Sequence, residues 1–342
     1  MIWTFLRSLF RPDIKLNVLT HNVSVSGVDM LLYMRNVIQK LIISGSSGTF
    51  NLTFDGQTTT GIAYNASMST IQSALEGLSN IASVDVEVIG TVTGTVYVEF
   101  KATYAAQNVL LMTGANVSGN AAVTITKIRN DVQKLTFSSG SAGETYKLTY
   151  RGQITSAIAF DATPAQVKTE LELLSTISTV IVTGTANSDL YVEFSGATIS
   201  NMDNPEMTVS DETGDLSVVV SSPMPDSNLL GGQRSTVLSR SIDKADSTNK
   251  DSNNWEESVP ITRHWSIAAS GFVVVDESGA AYVALENAYD NKLDLNALVK
   301  MPSGNQYEGI CHLDSFDLDG PHDGIFTGSL TVSGNGVLVK RT

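Results

Sequence analysis

Two stretches of the chain alternate strictly between apolar and polar residues. In Gly48-Thr-Phe-Asn-Leu-Thr-Phe-Asp-Gly-Gln57, Phe50, Leu52 and Phe54 fall on one side and Asn51, Thr53 and Asp55 on the other, and Tyr146, Leu148 and Tyr150 repeat the pattern. A period of two predicts a strand with one buried face. Asp55-Gly56 and Arg151-Gly152 supply turns, and second strands around residues 61–64 and 157–160 complete hairpins. The period then changes. Ile71, Ala74, Leu75 and Leu78 share one helical face, as do Val167, Leu171 and Leu174. Ser67 caps the first helix. Thr163-Pro-Ala-Gln166 opens the second with a capping hydroxyl, a proline at the first helical position and a glutamine able to close a capping box. Strands return at residues 84–88, 97–100 and 123–125, with equivalents at 180–182, 191–194 and 216–220.

These are two copies of one unit. Ile62-Ala-Tyr-Asn-Ala66 matches Ile158-Ala-Phe-Asp-Ala162, and Tyr97-Val-Glu-Phe100 matches Tyr191-Val-Glu-Phe194. The spacing of roughly 95 residues suits two small domains in series and is too long for a solenoid unit. Residues 37–130 and 131–226 are therefore expected to be inserted repeat domains, each a small α+β fold of a curved sheet and one helix. Their exposed Thr, Ser, Asn and Tyr suit weak sugar or surface contacts. A spacer or decoration with no ligand fits as well.

The flanks differ. Residues 26–35 read as a strand, followed after the repeats by residues 230–241, a polar segment over 242–262 and a strand over 264–272. A helix is expected over 276–290, with Ala280, Val283, Ala284 and Ala288 on its packed face. Strands follow at 293–299, 307–318 and 325–339. The fold class expected is mainly β: a β-sandwich with one helix, discontinuous over 13–36 and 227–342, interrupted by the two α+β units. Residues 1–12 read as a flexible or partner-docking arm.

Composition narrows the chemistry. A net charge of −14 argues against gripping nucleic acid through its phosphates. Like charge along a wall would instead repel DNA and let it slide. The lone Cys311 reads as an inert buried thiol. His21, His264, His312 and His322 show no zinc spacing. Asn249-X-Asp251-X-Asn253 suggests calcium only superficially: Asn254 stands where the loop glycine belongs and Pro260 where the bidentate Glu belongs. Residues 314–323 are oxygen-rich but read as a strand end and turn. No nucleophile elbow or phosphate loop occurs. No catalytic residue, cofactor site or metal site is expected, no stretch reaches the ~20 apolar residues of a membrane span, and an enzyme is not expected.

The order of the flanking elements resembles the major tail tube protein of long-tailed phages, in particular the noncontractile, siphophage type. The resemblance rests on the Leu31-Leu32-Tyr33 opening strand, the Gly231-Gly-Gln233-Arg234-Ser-Thr236 run, the Thr248-Asn-Lys250-Asp251-Ser-Asn-Asn254-Trp255-Glu256-Glu257-Ser258 loop and the strand from Trp265 to Gly271. It covers roughly 13–36 and 227–342. It implies a structural virion protein that forms hexameric rings stacked into a DNA-conducting tail tube, assembled in the host bacterial cytoplasm around a tape-measure protein and finished by tail completion proteins. Phage DNA would pass through transiently and without sequence preference. Lys250, Asp251, Asn254, Trp255, Glu256 and Glu257 would lie on an inter-ring or inter-subunit loop. Leu31, Leu32, Tyr33, Gln233, Arg234 and Trp265 would lie in the tube strands. The repeats depart from the simple family pattern. They are expected to decorate the outside, where a host-surface glycan is their candidate ligand. Two other readings compete: a surface adhesin or carbohydrate-binding β-protein, and a capsid decoration protein.

Overall fold

The computed structural model describes residues 30–197, 199–200, 202, 204–210, 213–222, 228–230, 232–248, 256–273, 280–320 and 327–341. The expected N-terminal arm and the start of the opening strand lie outside these residues, as do Lys250, Asp251, Asn254 and Trp255.

The protein is mainly β, as the alternation predicted. Its largest element is an eight-stranded sheet drawn from both ends of the sequence. Seven strands run in the order Asn228–Leu229, Leu31–Met34, Leu295–Lys300, Gln306–Asp319, Thr327–Gly334, Ser258–Val273 and Ser235–Asp246, and Val339–Arg341 pairs with Gln306–Asp319. The opening strand pairs Tyr33 with Leu229 and Met34 with Asn228, so the flanks do meet across the intervening segment. They meet in one sheet, where a sandwich would have two.

Chain length explains why that sheet is rolled. Leu229 sits at one end of the strand order and Ser235 at the other. Six peptide steps reach about 20 Å, whereas six inter-strand gaps laid flat would span about 29 Å. The sheet therefore curls over one core, in which Leu32, Met34, Ile267, Ala269, Leu295, Val299, Leu330 and Val332 are buried together. The helix Ala280–Asn291 packs on this core through Ala281, Ala284, Leu285 and Ala288. The expected helix start at 276–279 lies outside the described residues; the packed face carries Ala281 and Leu285 beside the expected Ala284 and Ala288, and Val283 is only partly buried. The following strand starts later than expected, at Leu295.

Each repeat copy has the same plan. In the first, Val86–Gly90, Thr95–Phe100, Val37–Ser44 and Ala122–Ile128 form one sheet, and Gly48–Phe54 joins Gln57–Thr58, Ile62–Ala63 and Thr113–Gly119 in another. The second copy repeats both orders strand for strand. The single curved sheet expected is thus two four-stranded sheets enclosing a core, with one helix. Phe50, Leu52 and Phe54 are buried, as are Tyr146, Leu148 and Tyr150. Asp55 and Gly56 both have positive φ (44° and 78°), as do Arg151 and Gly152 (47° and 78°). That geometry makes a two-residue hairpin follow the strand twist.

The helices Met68–Glu76 and Pro164–Glu172 bury Ile71 with Leu75 and Val167 with Leu171. Ser67 caps the first, and Thr163 with Gln166 closes the capping box of the second. One expected strand start fails: Val84 has φ 105° and is 65 % exposed, because Asp85 turns inward to accept from the Ala82 and Thr103 amides, and the strand begins at Val86.

Candidate assembly surface and unit junctions

Of the segment expected to be a long polar loop over 242–262, residues 242–246 and 258–262 are strand, and 249–255 lie outside the described residues. Ser235–Asp246 and Ser258–Val273 pair from Ser235↔Ser270 to Asp246↔Ser258, with a register shift between Ile242 and Lys244. On its other side the second strand pairs with Thr327–Gly334 only from Ser266 onward. Residues 241–246 and 258–265 therefore project as a two-stranded ribbon. Hydrophilic sequence hid the pairing because this ribbon buries neither face within one chain.

Register fixes which side chains share a face. Arg240 faces Trp265 and Ile242 faces Arg263, and strand alternation adds Ile261 and Val259 to the same row. Ile242, Val259 and Ile261 are 50 %, 52 % and 63 % exposed, an apolar row that continues the core-facing side of the sheet into solvent. At the tip the Thr248 hydroxyl donates to the Glu257 carbonyl and accepts from its amide, and Thr248 also holds the exposed Asp246 carboxyl below its usual range by hydrogen bonding. Glu256 and Glu257 are exposed beside this tip.

Trp265 sits at the ribbon's root. It is 7 % exposed and donates through Nε1 to the Gly336 carbonyl at 2.9 Å. Its ring lies flat on Gly309 and Gly334, where a Cβ would approach it to 2.4 and 2.1 Å. The strand runs on past the expected end at Gly271 to Val273, with a bulge there and φ +66°. Beside the Trp lies an open groove of about 910 Å³ lined by Arg240, Arg263, Tyr307, Val337, Leu338 and Lys340. The Arg240 guanidinium sits 5.3 Å above the Tyr307 ring.

The other expected tube-strand residues close the sheet. Leu32 is fully buried, and Leu31 and Tyr33 are half-buried, with the Lys300 ammonium 4.1 Å from the Tyr33 ring. The Gln233 carboxamide accepts from the Leu32 amide at 2.9 Å and donates to its carbonyl at 2.6 Å. A side chain thus extends the ladder one rung. The next residue, Arg234, donates its amide to Ser270 on the opposite flank of the roll.

The sequence reading missed the junctions. Arg35-Asn-X-X-Gln-Lys-Leu41 and Arg129-Asn-X-X-Gln-Lys-Leu135 open the two copies, and this repeat was the available signal. Arg35, 1 % exposed, pairs with Glu308 of the rolled sheet at 3.2 Å and donates to the Arg129 carbonyl. Arg129 reaches the other oxygen of Glu308 and donates to Asn296. Asn296, fully buried, donates through its carboxamide to the Ala106 and Gln107 carbonyls. Ala105 and Ala106 of the first copy sit inside the rolled sheet's core. Between the copies, Lys40 and Tyr97 meet Glu193 at 2.6 and 2.8 Å. Gln39 and Gln133, both fully buried, hold equivalent segments at Leu110–Met112 and Pro205–Met207.

Reactive groups are quiet. Burial pushes the Cys311 thiol up to about 12, and the Asp294 and Asp314 carboxylates add to this. His264 is 2.6 Å from Asp243 in an exposed pair, and the exposed His312 is 2.6 Å from the half-buried Asp294. Among the described residues no group of three His, Cys, Asp or Glu is placed to hold a metal. None of the described helices is long and apolar enough to cross a membrane.

These features define a β-rich protein with a projecting two-stranded ribbon. Residues 216–340 match the family model for phage tail tube protein. Several solved structures are similar, three of which follow. One is the tail of an empty gene transfer agent particle with C6 symmetry, at 21 % identity over 33 % of this chain and 85 % of its own, TM-score 0.31. The second is the virion of a native gene transfer agent particle, at 21 % identity over 34 % and 89 %, TM-score 0.31. The third is from Mycobacterium phage Patience, at 19 % identity over 39 % and 52 %, TM-score 0.22. No curated protein matches the chain.

Proposed function

We propose that this chain is the tail tube subunit of a long-tailed phage of the noncontractile type. It assembles as homo-oligomeric, hexameric rings that stack around a tape-measure protein in the bacterial cytoplasm and are closed by tail completion proteins. The finished tube conducts phage DNA without gripping it. The two repeat units, 37–130 and 131–226, stand on the outer surface of the tube domain (13–36 with 227–342).

The observation that carries this reading is the ribbon. An isolated two-stranded ribbon is marginal in water, and a row of exposed Ile and Val on it calls for a covering surface. A neighbouring copy of the rolled sheet would supply one and would pair the free edge of Ser235–Asp246. The groove at the root, ringed by Arg240, Arg263 and Lys340 in a chain of net charge −14, suits an acidic segment of that neighbour. Glu256 and Glu257 at the ribbon tip are of the right sign to reach an adjacent ring.

Electron microscopy of the purified chain tests this directly. Stacked rings or tubes are expected from the wild type. Ile242→Asp with Ile261→Asp should give folded monomers. Wild-type protein that stays monomeric at high concentration under several salt conditions would refute the reading and favour an adhesin. Glycan arrays with the full chain test the ligand assigned to the repeats.

A further inference from the structure

One buried cluster between the repeat units is not absorbed by tube assembly. Glu193, 2 % exposed, holds three side chains on its carboxylate. Its Oε1 accepts from the Asn130 carboxamide at 2.7 Å, and its Oε2 accepts from Lys40 Nζ at 2.6 Å and from the Tyr97 hydroxyl at 2.8 Å. Lys40 comes from the first unit's Val37–Ser44 strand and Glu193 from the second unit's Leu190–Phe194 strand. The lysine side chain is 12 % exposed, and its ammonium lies 5.9 Å from the Tyr97 ring. Ile38, Tyr97, Val132 and Tyr191 form the apolar cluster around it. Asn36 meets Glu99 in the same way at 2.6 Å, so the Asn–Glu pair belongs to the unit itself, and the lysine is brought to the second pair by the neighbouring unit.

The geometry points to a covalent bond between these units: an amide formed from Lys40 Nζ and Asn130 Cγ, with Glu193 as the proton carrier. Glu193 accepts from both the amine and the carboxamide, which places it to take one proton from the lysine ammonium. The amine lone pair then attacks Cγ and forms the Nζ–Cγ bond. The Cγ–Nδ2 bond breaks, one proton from Nζ goes to the leaving nitrogen, and ammonia departs. The proton held by Glu193 leaves with it as ammonium, and the carboxylate is restored. Lysine ammonium and asparagine amide become one secondary amide and one ammonium ion, with no change of oxidation state and no added reagent. Holding amine and carboxamide on one carboxylate makes the step intramolecular, the condition under which such a slow reaction runs unaided. The bond would fasten the two repeat units to each other against pulling and shear.

Intact mass spectrometry of the folded full-length chain, before and after several days at neutral pH, tests this. The expected mass is lower than the sequence mass by one ammonia, and digestion should yield a branched peptide joining the segments around Lys40 and Asn130. Lys40→Met and Lys40→Arg, shown to be folded by circular dichroism, should keep the full mass. Glu193→Gln should slow the mass change by at least about 100-fold, the usual share of general acid–base catalysis. An unchanged wild-type mass would overturn the proposal. So would ammonia loss that maps to a linear peptide, which marks a succinimide instead. Linking in Glu193→Gln as fast as in wild type would overturn the part given to Glu193.

Discussion

Replacing Arg35 by Met removes the guanidinium that ties the first repeat unit to the rolled sheet. Arg35 is 1 % exposed, stands 3.2 Å from Glu308 and donates to the Arg129 carbonyl. Breaking a buried ion pair from one side costs roughly 3–5 kcal/mol, since the remaining charge stays buried. Arg129 still holds the second oxygen of Glu308, so the lower end applies. The Arg129 carbonyl losing a donor adds roughly 1 kcal/mol. The sum, about 4 kcal/mol, lowers the melting temperature of a unit this size by roughly 8–16 °C. Calorimetry should be read over the whole thermogram, because a chain of several units has no single two-state transition. The transition that moves in Arg35→Met should be the one that moves in Leu32→Ala, a change inside the rolled sheet's core. The double variant Arg35→Met with Glu308→Leu should be less unstable than the sum of the singles, since no buried carboxylate is left unpaired, although Arg129 then loses its partner. A shift in Arg35→Met below about 2 °C, or a double variant as unstable as the sum of the singles, would refute the junction as described.

Three further outcomes follow from local geometry. Cys311 should resist a maleimide at pH 8 in the folded chain and react at once in urea; its proton is held more tightly in the folded state, so that contribution to stability is full below the ordinary thiol range and fades as pH rises toward about 12. Gly334→Ala forces a Cβ to within 2.1–2.5 Å of the Trp265 ring, and urea titration should show a loss of roughly 1–3 kcal/mol with altered Trp fluorescence. Thr163→Ala removes the acceptor for the Gln166 amide and should cost about 1 kcal/mol in the second repeat unit, measured by urea titration.

Short-range signals were legible in the sequence. The alternation of Phe50, Leu52 and Phe54, the Asp55-Gly56 turn and the Thr163 cap depend on neighbours within a few residues, and each appears where the pattern put it. The opening strand pairs with Asn228–Leu229, whereas the strand expected from residue 230 onward begins at Ser235 and lies at the other end of the sheet order. What escaped depends on distant partners. Asp85 displaced Val84 because amides at Ala82 and Thr103 needed an acceptor. The ribbon over 241–246 and 258–265 is polar on one face and uncovered on both, so neither hydrophobic period marked it as strand. Arg35 and Arg129 look like surface charges until Glu308, far along the chain, is placed between them. Of the expected assembly residues, Leu31, Leu32, Tyr33, Gln233, Arg234 and Trp265 all lie in or beside the rolled sheet, but Gln233 acts through its side chain and Trp265 through two glycines, roles that residue type alone does not announce.

The chain departs from the rolled sheet after Met34 and comes back at Asn228, directly across from it. A segment whose two ends are opposite neighbours behaves like a cassette: in-frame recombination could exchange it and leave the two cut ends paired. Arg35 and Arg129 travel with the cassette, whereas Glu308 and Asn296 stay with the recipient. A foreign cassette lacking an Arg-Asn opening would strand Glu308 without its counter-ions, so only inserts bearing that dipeptide could be traded freely among relatives that keep this glutamate.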